Sequence, residues 1–112
     1  MRVVFYRTAA GSEPVRDWLQ SLDKGDRKAL GEDIKTVQFG WPLGKPVVRP
    51  LGDGLYEVRV NLQDRIARVV FLADTGVMVL LHGFIKKTQK TPADELDLAR
   101  KRASDICKDM KQ

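Results

Sequence analysis

From Val77 to Ile85 the chain reads Val-Met-Val-Leu-Leu-His-Gly-Phe-Ile, an apolar run interrupted by one imidazole and one glycine. The run is too short to span a membrane and too uniformly apolar for a half-exposed strand. It predicts a central strand buried on both faces. It leads directly into Lys86, Lys87 and Lys90, and then into Thr91-Pro92-Ala93-Asp94. That last group supplies an N-cap, a proline at the first helical position and an acidic first turn. A rigid strand that delivers ammonium groups to a sheet edge suits the binding or cleavage of a phosphodiester.

The other elements follow from periodicity. Arg2 to Tyr6 predicts a short first strand, broken by Gly11, with Ser12 as the N-cap of a helix that starts at Pro14. Val15, Trp18, Leu19 and Leu22 form one helical stripe. After a turn at Asp23 to Asp26, Ala29, Leu30, Ile34 and Val37 mark the inner side of a second helix, which ends at Gly40 before Pro42. The two helices read as an αα-hairpin. The Pro/Gly-rich stretch 42–54 predicts loop, with a short edge strand at Val47-Val48-Arg49. Tyr56, Val58, Val60 and Leu62 then alternate with Glu57, Arg59 and Asn61, which predicts a strand with one core face and one polar face. Arg65 to Leu72 is its partner, and Asp74-Thr75-Gly76 turns the chain into the run at Val77. Pro92 to Lys108 closes the chain as a helix with Leu96, Ala99, Ala103 and Ile106 on one side. The order β-α-α-(β)-β-β-β-α predicts an α+β domain over residues 1–112, its antiparallel sheet covered by the helical hairpin.

Composition narrows the class. The apolar share of 43% and the charged share of 31% are those of a globular chain, and 112 residues suffice for one core. A lone cysteine, Cys107, gives no disulfide framework and fits a reducing cytoplasm. Neither a signal peptide nor a membrane span is legible. Histidine pairs, cysteine clusters and carboxylates at ligand spacing are missing, so neither a metal nor another cofactor is expected. Twenty basic against fifteen acidic side chains give a net charge of +5. Residues 45–112 carry +4 of it, which favours an anionic partner, nucleic acid first.

The candidate chemistry is therefore cationic. Arg59 lies on the polar face of its strand. Arg68 interrupts Ile66, Ala67, Val69, Val70 and Phe71, where apolar groups normally sit. Either a carboxylate, with Glu57 at hand, or a phosphate bound by the guanidinium fork accounts for it. Lys86 and Lys87 end the next strand; Arg65, Lys90 and His82 are further candidate RNA contacts. His82 also reads as a hydrogen-bonded core histidine, and Trp41 as a packing aromatic or a base-stacking one.

Leu55-Tyr56-Glu57-Val58-Arg59, Arg68-Val69-Val70-Phe71, Leu80 to Pro92 and Ala99-Arg100-Lys101-Arg102 resemble the RelE/HigB-like superfamily of type II toxins, closest to its phage-associated HigB branch. The resemblance spans nearly the whole chain, including Pro14-Val15 to Trp18-Leu19. It implies a RelE/ParE-like twisted antiparallel sheet backed by the αα-hairpin and a C-terminal helix. It implies a cytoplasmic mRNA endoribonuclease acting without metal on ribosome-bound messages, and a helix-turn-helix antitoxin of HigA type. By position, Arg59 and Arg68 match the strand cations of RelE-type nucleases, and Lys86 or Lys87 matches the basic group after the last strand. On that basis Arg68 is expected to hold the scissile phosphate. Lys86 or Lys87 would stabilise the transition state or protonate the 5′-oxygen, and Arg59 would position RNA or assist the 2′-hydroxyl. Two departures stand out: Glu57 occupies a position where RelE-type nucleases place a lysine, and no tyrosine follows Lys87. The same scaffold serves ParE-like toxins that inhibit DNA gyrase, and a non-catalytic RNA-binding protein is the third alternative.

Overall fold

The computed structural model describes residues 1–42, 47–86 and 92–110, with side chains through Ile85 in the last strand and Ile106 in the last helix. The elements are β1 (Arg2–Phe5), α1 (Pro14–Ser21), α2 (Lys24–Gly40), β2 (Val48–Gly52), β3 (Leu55–Asn61), β4 (Ile66–Asp74), β5 (Val77–Lys86) and α3 (Ala93–Met110). The fold is α+β as expected, with five strands in one sheet ordered β1-β5-β4-β3-β2. The apolar run at Val77 does lie in the middle, between β1 and β4.

The sheet is mixed rather than wholly antiparallel. Hairpin-linked β3, β4 and β5 are antiparallel, as short connections require, but β1 pairs parallel to β5 from Arg2↔Val77 to Phe5↔Leu80. No tight turn joins β1 to β5, so nothing local imposes a direction. The edge strand expected at Val47–Arg49 is longer, Val48–Gly52, and pairs antiparallel with β3. It holds Pro50, which an edge strand tolerates because it has a side without a ladder.

Helix starts differ slightly from expectation. Ser12 does not cap α1. Its N–H donates to Thr8 Oγ1 and its hydroxyl lies 2.8 Å from the same oxygen, closing the loop ahead of the helix, and Glu13 takes the cap position. Lys24 already belongs to α2, so the interhelical turn is shorter than Asp23 to Asp26. Thr91, the expected cap of α3, lies outside the described residues. Asp94 and Glu95 fill the acidic first turn.

The strand alternation sorts side chains into two cores. On one face Val58, Val60, Ala67, Val69, Phe71, Met78 and Leu80 pack with Val15 of α1 and Leu30, Ile34 and Val37 of α2. Trp41, Tyr56 and Phe71 gather there as an aromatic cluster, with Trp41 edge-on to Tyr56 at 4.8 Å. Trp41 is thus a packing aromatic. On the other face Leu55, Val70, Leu72, Val79, Leu81 and Phe84 meet Ala99 and Ala103 of α3. The small alanines let the helix approach closely. The sheet is therefore covered on both sides, and the face bearing Glu57 and Arg59 is not simply the solvent face that the alternation suggested. No helix among the described residues is long and apolar enough to cross a membrane.

Within β5 the register slips. Val70 faces His82 but Phe71 faces Leu80, so Leu81 is an extra residue, a β-bulge. The bulge sets Phe84 beneath α3 and Gly83 beneath α1. A Cβ on Gly83 would stand 2.3 Å from the Trp18 ring. Gly83→Ala is expected to cost about 1–3 kcal/mol through overpacking, read as a lower urea midpoint. An unchanged midpoint would mean that the indole swings aside freely.

Candidate nucleic-acid interface

Three strands place the strand cations together. Arg59 on β3 lies directly opposite Arg68 on β4, which in turn faces Phe84 on β5. Two residues earlier on β3, Glu57 points to the same face. Like charges directly opposite each other on neighbouring strands repel, and Glu57 answers them both. Its Oε1 lies 3.7 Å from Arg59 Nε and 3.8 Å from Arg68 Nε.

Burial divides the pair. Arg68 and Glu57 are both 0% exposed, whereas the Arg59 side chain retains 23% of its surface. Burial lowers the pKa of Arg68; Glu57 opposes that shift, and Arg59 and Arg49 add to it. An arginine stays charged through such a shift, so Arg68 is an enclosed cation. The expectation that Arg68 grips a phosphate directly is therefore revised, since its guanidinium does not reach the surface. The alternative reading of Arg68, a carboxylate partner at Glu57, is what the geometry shows. Arg59 is the member of the pair that meets solvent.

Arg49 was not among the sequence candidates. It sits on β2 directly opposite Glu57, so it shares the face of Arg59 and Arg68. The Pro/Gly-rich surroundings hid it, although its neighbour Val48 is buried in the opposite core and alternation then assigns Arg49 to the arginine face.

The remaining candidates scatter. Lys86 ends β5 opposite Ile66, placing its backbone beside the start of β4. Lys87 and Lys90 lie outside the described residues. Arg65 is drawn away to the α1–α2 layer, where its Nη2 lies 2.8 Å from Asp26 Oδ2 of α2. His82 bridges β5 and α3. Its Nε2 is 2.8 Å from Glu95 Oε2, and Arg102 Nη1 approaches Nδ1 at 3.5 Å. Arginine can only donate, so Nδ1 is the acceptor and Nε2–H donates to Glu95. Both ring nitrogens are turned to the protein, the arrangement of a core histidine rather than an RNA contact.

The helical triplet likewise splits. Arg100 and Lys101 are exposed. Arg102 turns inward, donating 2.8 Å to Leu81 O just past the end of β1, with its guanidinium over the Tyr6 ring. Burial lowers its pKa, against the influence of Tyr6. A cavity of about 600 Å³ opens between β1 and the far end of α3, lined by Val4, Tyr6, Val79 and Ile106. It lies away from the arginine row and its lining is mostly apolar.

A cationic strand face of this kind on a mixed α+β scaffold is not specific to one family, but the comparison with known families is decisive. Residues 17–104 match the family described as phage-derived protein Gp49-like (DUF891), which covers most of the chain and every described cation of the strand face. The chain belongs to the Gp49-like family. This is a toxin-like, phage-derived family related to RelE/HigB-type toxins. A comparison with curated proteins gave no match.

Proposed function

We propose that this chain is the toxin of a type II toxin–antitoxin pair of the phage-associated HigB kind, a cytoplasmic endoribonuclease that cuts mRNA on the ribosome. The observation that carries the reading is the charge count on one sheet face. Among the described residues, Arg49, Arg59 and Arg68 share that face with the carboxylate of Glu57, beside the strand that ends at Lys86. An RNA phosphate is the natural counter-ion of such a surplus.

In the proposed reaction the 2′-hydroxyl attacks the adjacent phosphorus and the bond to the 5′-oxygen breaks. The products are a 2′,3′-cyclic phosphate and a free 5′-hydroxyl. Negative charge concentrates on the phosphorane oxygens, where a fixed cation in a partly dry site stabilises it most. Arg59 supplies that cation, and Arg68 backs it through Glu57. Lys86 or Lys87 in its ammonium form protonates the departing 5′-oxygen. The proton of the 2′-hydroxyl passes to the other lysine as free amine, a state that neighbouring cations favour. A HigA-type helix-turn-helix antitoxin would hold this activity in check.

The test is cleavage of a defined mRNA with and without programmed ribosomes, the products mapped by primer extension. Cuts that need the ribosome and leave 5′-hydroxyl ends support the proposal. Intact mRNA from folded protein sinks it, and the full burial of Arg68 would then favour a ParE-like inhibitor of DNA gyrase. That second reading is checked by supercoiling assays.

A further inference from the structure

The nuclease reading needs a contact at the scissile phosphate, but an RNA strand crossing the sheet presents several phosphates. Arg49 is placed for another of them. It is half-buried on β2, the edge strand next to β3. Among the described residues it has no hydrogen-bonded or ion-paired side-chain partner; Glu57, directly opposite, lies within ion-pair distance of Arg59 and Arg68 instead. Arg49 and Arg59 stand diagonally across the β2–β3 ladder, a separation of about 7–8 Å between backbones. Two flexible arginine arms set that far apart can reach successive phosphates of one extended strand.

The bland role for an edge cation is to deter sheet extension. Any isolated charge does that, and the role gains nothing from two further guanidiniums alongside. Here the neighbours are like charges, and the field of Arg49 is felt at the buried Arg68. Bringing a third guanidinium to this face costs repulsion, which an arriving anion relieves.

We propose that Arg49 is a second phosphate contact, binding the RNA backbone next to the phosphate held at Arg59 and orienting the strand from β2 toward the end of β5. The proposal rests on the RNA reading above and adds to it a residue that contributes to binding rather than to bond cleavage. Phosphate contacts of this type position a strand without reading its sequence.

The experiment uses the full chain and a single-stranded RNA of 2′-O-methyl nucleotides, whose blocked 2′-oxygen cannot attack. Affinity is measured between about 50 and 200 mM salt. Arg49→Gln is expected to weaken binding uniformly across RNA sequences and to reduce the slope of log affinity against log salt by about 0.7, the loss of one single-strand phosphate contact. Arg49→Lys should keep the slope, and both variants should melt like the parent, because Arg49 supports no described contact. A slope for Arg49→Gln equal to that of the parent overturns the proposal while leaving the nuclease reading intact. Absence of binding by the parent at low salt sinks the RNA reading, and this contact with it.

Discussion

Glu57→Ala is expected to destabilise the protein by about 3–5 kcal/mol, because it leaves the enclosed Arg68 facing Arg59 with their shared carboxylate removed. The loss comes from removing the carboxylate beside a buried charge, not from lost packing. That distinguishes it from an ordinary core truncation. Replacing Glu57 and Arg68 together with apolar residues of similar volume should therefore cost far less than Glu57→Ala alone. Urea unfolding of the three variants decides the matter. A Glu57→Ala loss below about 1 kcal/mol, in the range of exposed pairs, would mean that water reaches Arg68 and that the cluster is open.

Arg59→Ala should act oppositely, sparing the fold and disabling the chemistry. The side chain is partly exposed and stands against a like charge, so removing it relieves repulsion even as it gives up the contact with Glu57. If Arg59 stabilises the phosphorane, the cleavage rate should fall about 10²- to 10³-fold with the unfolding midpoint nearly unchanged. Arg59→Lys should restore only part of the rate, since an ammonium cannot offer the two parallel donors of a guanidinium. Cleavage by Arg59→Ala within a few-fold of the parent would move the stabilising role to Lys86 or Lys87.

These two residues also mark how far the sequence was legible. The alternation from Tyr56 to Leu62 correctly separated Glu57 and Arg59 from the aliphatic face. Alternation identifies a face, however, and not what lies over it. On that face Ala99 and Ala103 of α3, more than forty residues downstream of Glu57, pack with Leu55, Val70 and Phe84. Arg68 was recognisable as anomalous, and Glu57 as its available partner, because a charge within an apolar strand needs an answer nearby. The direction of β1 was not recognisable, since its partner is remote in sequence. Arg49 was obscured by prolines and glycines that read as loop. His82, Arg65 and Arg102 shared the composition of surface cations, yet each is drawn inward or sideways by a carboxylate, carbonyl or ring on another element.

The extra residue at Leu81 gives β5 two opposite parities. Upstream, Met78 and Leu80 serve the helical-hairpin core; downstream, that duty falls to Gly83 and Ile85, while Phe84 serves α3. Leu81 thus works as a one-residue phase shift in the wiring of the strand. Straightening the strand with Leu81 retained would exchange the sides of every downstream side chain, sending Phe84 toward the indole of Trp18 and presenting Gly83 to α3, whereas deleting Leu81 would close the bulge and leave each on its present side. Which way the end of the last strand faces the cationic row is therefore set by the bulge as much as by the identity of the residues beyond it.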